Sequence, residues 1–237
     1  MEPDFLDVFD VLRARHCKRA FLDRPVPREV LEEVLAAAAN APSTRNSQPW
    51  RVAVLTGAAR EELARKLCDA FDRGVPARHD YGNRPPSEGS AEEARARAAG
   101  AGVFAAKGIE RADEAARRAH LRDNQRFYGA PVELIFHLPA DAPPGIFLEM
   151  GFFVQNVMLG LVARGLGSCP QYSVTAYSDL IREHIREHPG FGPDRLIVCG
   201  MAVGYPDPEA PVNAFAPERA PLEDYVQWFD GSLPPSG

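Results

Sequence analysis

Apolar residues at spacings of three and four predict two helices in the first 40 residues. The first spans 4–16, begins at Asp4 as its N-cap, and carries an apolar stripe of Phe5, Val8, Phe9 and Leu12. The second follows Pro27 and turns its apolar residues inward, namely Val30, Leu31, Val34, Leu35 and Ala38. It must end near Asn40, because Pro42 disfavours helical geometry in the residue before it.

Short apolar runs bounded by turn residues predict three strands, at 51–55, 131–138 and 195–203. Between them, the pattern predicts a helix carrying Leu63, Leu67 and Phe71, and an amphipathic helix at 177–188. The stretch 147–164 is apolar nearly all round, which is typical of a helix buried on every side, and Gly165 and Gly167 stop it.

Two segments look like additions to this framework. Residues 73–90 have loop composition, and 91–122 are broadly helical, broken around Gly100 and Gly102, with few large apolar residues. We expect 73–127 to form a lid-like helical excursion, and 205–237 a Pro-rich tail that wraps over another surface. Because helices interrupt the strands irregularly, the sequence predicts one α+β domain over residues 1–237.

Composition narrows the class of protein. The chain has 237 residues, a net charge of −6 and 45% hydrophobic residues, which favours a globular fold over disorder and argues against nucleic-acid binding. The N-terminus has no basic region followed by an apolar run, and the apolar stretch 147–161 is too short to span a bilayer. Four scattered cysteines form neither a disulfide ladder nor a zinc knuckle: Cys17, Cys68, Cys169 and Cys199. We therefore expect a cytoplasmic protein that does not bind membranes.

Two motifs match known patterns only superficially. His184, Glu187 and His188 have the H-x-x-E-H spacing of a zinc site, but Pro189 ends the helix and no third ligand is obvious. Gly100 and Gly102 lack the preceding strand of a dinucleotide fingerprint. The sequence also has no Walker A or G-x-S-x-G motif, so we expect no metal site and no nicotinamide fold of its own.

Charge contrast gives the first chemical signal. Residues 13–24 hold five basic residues against Asp23 alone, a local net charge of +4 in an acidic chain. Such a segment suits an anion, since arginine forks bind phosphate through paired hydrogen bonds, but a solvated basic turn would look the same. Three further polar or glycine-rich segments follow at 41–50, 165–172 and 204–221.

Taken in this order, the four segments resemble the FMN-dependent nitroreductase family. Residues 15–21 (RHCKRAF) are similar to its R-[RH]-S-x-[RK]-x-F signature, and 41–50 (APSTRNSQPW) to its A-P-S-x-x-N-x-Q-P-W segment. Gly165-Leu-Gly with Cys-Pro170, then Gly204-Tyr-Pro and Arg219, complete a series that covers about residues 8–229. The run 124–131 (NQRFYGAP) is similar to the subgroup that acts on simple nitroaromatics.

The resemblance implies a central mixed or antiparallel sheet flanked by helices, a long buried helix at the core of a homodimer, and FMN at the dimer interface. Arg15, His16, Cys17 and Arg19 would hold the phosphate, ribityl chain and pyrimidine edge of FMN, with Arg219 as a second phosphate ligand. Residues of the partner subunit, the equivalents of Pro42, Ser43, Thr44 and Asn46, would line the same flavin. Pro170, Gln171, Tyr172 and Ser173 would lie along the isoalloxazine ring.

The resemblance also implies the chemistry. NAD(P)H would reduce FMN and leave, and a nitroaromatic or a quinone would then take two electrons in a ping-pong sequence, without a catalytic side chain. Arg45 and Phe104 would contact the substrate. Cys17 stands where the family usually has serine, Arg45 where small residues are common, and 83–90 lack a tryptophan often found in this lid.

Two alternatives remain open on the sequence. One is an FMN-dependent dehydrogenase or oxidase that acts on a biosynthetic intermediate and reduces nitro groups as a side activity. The other is a flavin- or anion-binding module without turnover.

Overall fold

An antiparallel sheet organises the residues that the computed structural model describes, 7–186 and 194–229. Its strands are β1 (Arg51–Thr56), β2 (Val132–Pro139), β3 (Gly167–Gln171) and β4 (Arg195–Gly204). They lie in the order β1-β2-β4-β3, and every pairing between neighbours is antiparallel. The predicted α+β class and antiparallel sheet are therefore confirmed.

Helices cover both faces of this sheet. They are α1 (Val8–Ala14), α2 (Arg28–Ala38), α3 (Gly57–Asp72), α4 (Ala91–Ala106), α5 (Glu114–Gln125), α6 (Pro144–Ala163), α7 (Ser178–Ile185) and α8 (Pro211–Ala214). On one face, Leu134 and Phe136 of β2 pack with α2 and α6. On the other, Ile135 of β2 and Ile197 of β4 pack with α3 and α7. Because strand side chains alternate between faces, the central strands β2 and β4 supply both cores.

The sequence predicts α2 well and α1 only in part. Leu31, Val34 and Ala38 are buried, and α2 ends at Ala38 as expected. In α1, however, Asp7 is the N-cap and accepts a hydrogen bond from the backbone N–H of Phe9 at 3.0 Å, whereas Asp4 lies outside the described residues. Val11 is the buried residue of α1, while Val8, Phe9 and Leu12 of the predicted apolar stripe are exposed within the chain, and Phe5 lies outside the described residues.

Within one chain, the long apolar helix α6 is buried on one side only. Met150 and Phe153 pack on the sheet, but Leu148 is 61% exposed and Phe152 40% exposed. With 20 residues, α6 is also long and apolar enough to cross a membrane by length and composition alone, contrary to the expectation of a stretch too short to do so. Its polar residue Glu149 is buried and accepts a hydrogen bond from the backbone N–H of Thr44 at 2.8 Å.

The predicted break at Gly100 and Gly102 does not occur, because α4 continues through both to Ala106. A Cβ atom on Gly102 would overlap the ring of Phe215, whereas one on Gly100 would meet no atom within 4 Å. Gly102 is thus a packing requirement: it lets the segment after α8 lie against the lid helix. The turn between α4 and α5 falls instead at 107–113, where Gly108 has a φ of +66°.

The glycine-rich segment 165–172 contains a strand that the sequence analysis did not predict. Gly165 ends α6 with a φ of +70°, and β3 begins two residues later at Gly167. A Cβ atom on Gly167 would crowd Lys18 and Pro206, so the missing side chain makes room for the chain segments beside β3. The tail is docked in part: Val212 is buried, while Tyr225, Trp228 and Phe229 are 69–87% exposed.

Candidate active site

Three distant parts of the chain enclose a cavity of about 340 Å³. The N-terminal segment after α1 forms one wall, the lid helices α4 and α5 form a second, and the segment after α8 forms a third. The lining residues are Arg15, His16, Cys17, Arg19, Ala99, Gly100, Val103, Phe104, His120, Leu121, Asn124, Tyr128, Phe215, Pro217 and Arg219. The predicted cofactor residues of the first and last motifs therefore meet in one place, and Phe104 joins them.

Arginines give the cavity its charge. Arg15, Arg19 and Arg219 all line it, and none of them forms an ion pair with any carboxylate in the described ranges. Arg15 and Arg219 also border a neighbouring depression of about 410 Å³ next to Phe9 and Leu12, whereas Arg19 does not border that depression. Guanidinium groups without carboxylate partners are suited to bind an anion in paired hydrogen bonds.

The amide of Asn213 fixes the N-terminal wall. Its Oδ1 accepts hydrogen bonds from the backbone N–H groups of Arg19 at 2.8 Å and Ala20 at 3.3 Å. Its Nδ2 donates to the carbonyl oxygens of Ala20 at 2.7 Å and Asp207 at 2.9 Å. Asn213 is 4% exposed, so these contacts hold the segment that carries Cys17 and Arg19 in a dry environment.

His16 and Lys18 complete that wall. The Nδ1 of His16 lies 2.9 Å from the carbonyl oxygen of Ala14, and its Nε2 lies 2.7 Å from the Nζ of Lys18. The same Nε2 also lies 2.9 Å from the backbone carbonyl oxygen of Asn213. The same Lys18 ammonium donates to the backbone carbonyl of Asn213 at 2.8 Å, and burial lowers its pKa.

Asn124 organises the opposite end of the cavity and was not among the predicted site residues. Its Oδ1 accepts from the hydroxyl groups of Tyr128 at 2.6 Å and Ser173 at 3.0 Å. Its backbone carbonyl accepts from the Nε2 of Gln171 at 2.8 Å. The predicted residues Gln171 and Ser173 therefore reach the cavity through Asn124. The run 124–131 contained the signal, since Asn124 opens it.

The predicted residues Pro170 and Tyr172 do not line the cavity. Tyr172 stacks on His79, with ring centroids 4.5 Å apart, and donates to the carbonyl of Tyr81 at 2.7 Å. Tyr81 in turn donates to the carbonyl of Val198 at 2.7 Å. These contacts fix the loop before α4 against the sheet and so give the lid a rigid base.

The lid side of the cavity is aromatic. Phe104 of α4 meets His120 of α5 edge to face, with ring centroids 5.2 Å apart. Burial, aided by the positive charge of Lys107, lowers the pKa of His120 to about 4, and its Nδ1 is buried without a hydrogen-bond partner. His120 is therefore neutral near pH 7 and offers one free polar atom in an apolar wall. Neither His120 nor Tyr128 was predicted as a site residue.

Cys17 is the most activated thiol of the site. A hydrogen bond with the thiol of Cys169 lowers the pKa of Cys17, and the positive charges of Arg19 and Arg15 act in the same direction, against the effect of burial. The opposite holds for Cys169, whose pKa is raised by that hydrogen bond and by burial. Thiolate character depends on such positive surroundings.

The segment 42–48, which includes the predicted residues Pro42, Ser43, Thr44, Arg45 and Asn46, does not line this cavity. Arg45, Asn46 and Gln48 have φ values of +54°, +56° and +46°, a left-handed conformation that is uncommon outside glycine. The segment is anchored where the carboxylate of Glu149 accepts from the backbone of Thr44, a contact that lowers the pKa of Glu149. Backbone strain of this kind is often kept at functional sites.

No group of three or more His, Cys, Asp or Glu side chains with metal-binding geometry occurs within the described residues. His184 contacts the carbonyl oxygen of Ala59 at 2.7 Å through Nε2. Glu187 and His188 of the H-x-x-E-H pattern lie outside the described ranges.

Comparisons with known proteins converge on one family. The family model described as "Nitroreductase family" matches residues 12–205. The chain is 34% identical over 224 residues to a chloronitrobenzene nitroreductase of Comamonas testosteroni, covering 94% of this chain and 96% of that protein. It is 32% identical to a 4-nitrobenzoate reductase of Pseudomonas putida, with the same coverage. The crystal structure of an FMN- and NADPH-dependent nitroreductase, NfnB from Sphigopyxis sp. strain HMH, superposes with a TM-score of 0.87 at 34% identity, covering 94% of this chain and 99% of that one.

The contacts of Asn213 predict a large loss of stability on its removal. Asn213→Ala deletes four hydrogen bonds and leaves backbone groups of Arg19 and Ala20 buried without partners. At about 1 kcal/mol per net hydrogen bond, we expect the free energy of unfolding to fall by about 2–4 kcal/mol and Tm by about 5–15 °C, measured by circular dichroism. Asn40→Ala is the matched control, because Asn40 is exposed and its amide makes one hydrogen bond, to Ala37. Equal losses in the two variants would contradict the prediction.

Proposed function

Because the chain belongs to the nitroreductase family, we propose that it is an FMN-dependent oxidoreductase that takes electrons from NAD(P)H and reduces nitroaromatic compounds. The observation that carries the proposal is the cavity in which Arg15, Arg19 and Arg219 face inward without acidic partners. Its volume, about 340 Å³, falls within the range of small-molecule sites.

The lining residues fit a flavin mononucleotide. Arg15 and Arg219, which share the end of the cavity beside α1, would hold the phosphate, and His16 and Cys17 would follow the ribityl chain. Arg19, which lines the same cavity as Tyr128 and Asn124, would face the pyrimidine edge together with the amide of Asn124. The segment 170–173 would support the isoalloxazine ring through Asn124.

When bound, FMN supplies a two-electron carrier, which NAD(P)H reduces and a nitroaromatic or a quinone then oxidises in a ping-pong sequence. The chain itself binds, orients and excludes water. The Phe104 ring and the neutral His120 give the substrate side an apolar wall with one free polar atom. No side chain needs to act as an acid or a base in this proposal.

An anaerobic titration tests the proposal. We expect the protein to bind one FMN per chain, the flavin absorbance to bleach on addition of NADPH, and 4-nitrobenzoate or a quinone to restore it. Bleaching by neither NADH nor NADPH would contradict a nicotinamide-linked reductase. A protein that takes up no FMN would contradict the whole proposal.

The same titration measures how much an arginine of the cavity contributes to FMN affinity. Arg219→Ala should weaken FMN binding about ten- to hundredfold, because a charge-assisted hydrogen bond contributes about 1.5–3 kcal/mol. The matched control is Arg24→Gln. Arg24 belongs to the same basic segment but stacks on Tyr205 at 3.8 Å and lines neither depression. Equal weakening in both variants would indicate a general loss of positive charge instead of a phosphate contact.

We also propose that the functional unit is a homodimer. Apolar side chains on three elements are unusually exposed within the chain: Phe9 of α1 at 60%, Leu148 of α6 at 61%, and Trp228 of the tail at 70%. Exposed apolar area of this extent is typical of an interaction surface. A second copy would also bring its strained segment 42–48, which contributes nothing to the cavity of its own chain.

Sedimentation tests the dimer. At low micromolar concentration we expect about twice the 26.0 kDa chain mass. Phe152→Asp places a charge on the exposed face of α6 and should raise the Kd of the dimer at least tenfold, so that more of the protein sediments as monomer. Val75→Asp is the control, since Val75 is 40% exposed, as Phe152 is, and lies about 60 residues or more along the chain from each of these elements. A wild-type protein that sediments as a monomer with FMN bound would refute the dimer.

Arg45 is a candidate for substrate recognition. It is exposed, lies at the tip of the strained segment, and makes no ion pair within the described residues. In a dimer this segment would border the partner's flavin, so a guanidinium there could bind a carboxylated nitroarene or the additional phosphate of NADPH.

Steady-state kinetics test this role. Arg45→Asn removes the charge while asparagine tolerates the left-handed backbone better than most residues. We expect KM for 4-nitrobenzoate to rise about five- to hundredfold, from the loss of one charged hydrogen bond of about 1–3 kcal/mol, with KM for a neutral quinone nearly unchanged. Added salt should reproduce part of this loss in the wild type. Equal effects on both acceptors would show that Arg45 shapes the site without recognising charge.

A further inference from the structure

Two cysteines meet at the wall of the cavity. Cys17 lines the cavity, Cys169 of β3 is 2% exposed behind it, and the Cys17 side chain packs against the buried core cluster that contains Cys169. Both are free thiols. They are 152 positions apart in the chain, so the fold alone brings them together.

The backbone holds the pair at a spacing that suits a disulfide. Cys17 forms an isolated parallel β-bridge with Ser168, and the N–H of Lys18 donates to the carbonyl of Ser168 at 3.0 Å. Cys169 is therefore the diagonal neighbour of Cys17. Ideal strands, about 4.8 Å apart and rising about 3.3 Å per residue, give diagonal neighbours a Cα separation of about 5.8 Å. Both cysteine side chains pack in the same core cluster on one face of the sheet. Disulfides span Cα distances of about 4.4–6.8 Å.

The surroundings make the two thiols unequal. Arg15, Arg19 and His16 surround Cys17 with donors and positive charge, which favours its thiolate. Cys169 is enclosed by the core of the sheet and retains its proton. Cys17 thus has the character of an attacking thiol and Cys169 that of a resolving thiol. Burial is the main cause of the raised pKa of both Cys68 and Cys199, so neither shares this activation.

We propose that Cys17 and Cys169 form a peroxide-sensitive pair, oxidised by hydrogen peroxide to a disulfide in the wall of the cavity. The Cys17 thiolate attacks one peroxide oxygen, the O–O bond breaks, and the leaving hydroxide takes a proton to form water. This step produces a sulfenic acid on Cys17. The Cys169 sulfur then attacks the Cys17 sulfur, the S–O bond breaks, and the second water leaves with the thiol proton. Two thiols lose two electrons, and one peroxide is reduced to two waters.

The oxidation depends on an open cavity. Because Cys17 lines the cavity, an occupant of that space shields its thiolate, and the disulfide withdraws the Cys17 sulfur from the wall. This consequence rests on the proposed FMN site, whereas the disulfide itself does not. We expect bound FMN to slow oxidation at least tenfold.

Peptide mapping without reduction tests the pair. After treatment of the full chain with hydrogen peroxide, trypsin should release peptide 16–18 linked to peptide 165–182, with the loss of two hydrogen atoms. Cys17→Ser should abolish this product. In Cys169→Ala, the sulfenic acid on Cys17 should accumulate several-fold and be trapped by dimedone. Cys68→Ser and Cys199→Ser are the controls, and the linked product should form in both.

Each outcome is decisive. An unreacted Cys17 in wild type, or a disulfide to Cys68 or Cys199 instead, would overturn the pair. If Cys169→Ala fails to fold, judged by its unfolding curve, the mapping of wild type against Cys17→Ser still decides. Oxidation at the same rate with FMN bound would overturn the shielding. A chain that binds no FMN yet forms the linked peptide would overturn the proposed function and leave the pair intact.

Discussion

The amide of Asn213 is the interaction on which the cavity depends. It satisfies backbone groups of residues 19 and 20 that belong to no helix and form no continuous strand. An irregular segment can carry buried side chains only if its backbone finds partners, since an unpaired buried N–H costs about 1–3 kcal/mol. This side chain, together with the backbone contact between Lys18 and Ser168, therefore sets the positions of Cys17 and Arg19 and ties residue 213 to the beginning of the chain.

Two features of the structure lower the stability of a single chain. Arg15, Arg19 and Arg219 repel one another across a cavity that contains no carboxylate, and Arg45 and Asn46 keep a strained backbone away from that cavity. Both costs act against the stability of the isolated chain. An anion bound in the cavity would remove the first cost, and a neighbouring surface that uses the strained segment would account for the second.

The sequence predicts those elements whose pattern is set by the chain's own core. Helix α2 and strands β2 and β4 face the sheet's two cores, so their apolar spacing is sufficient to find them. For α6 the same reasoning fails, because hydrophobicity does not tell which surface covers a residue. The site residues also divide into those that the sequence predicts and those that it does not. The resemblance predicts motif residues such as Arg15 and Arg219. Asn213 and Asn124 act instead through contacts with residues that are distant in the chain. Asn213, for example, accepts a hydrogen bond from a residue 194 positions away.

Because the two ends of the chain build the cavity, the order of synthesis determines when its walls can meet. Arg15 emerges from the ribosome more than 200 residues before Arg219, an interval of about 10–40 s at about 5–20 residues per second. The last strand of the sheet ends at Gly204, before Asn213 and Arg219 have been made. The whole sheet is therefore synthesised before the C-terminal wall of the cavity, so closure of the cavity is a late event of biogenesis.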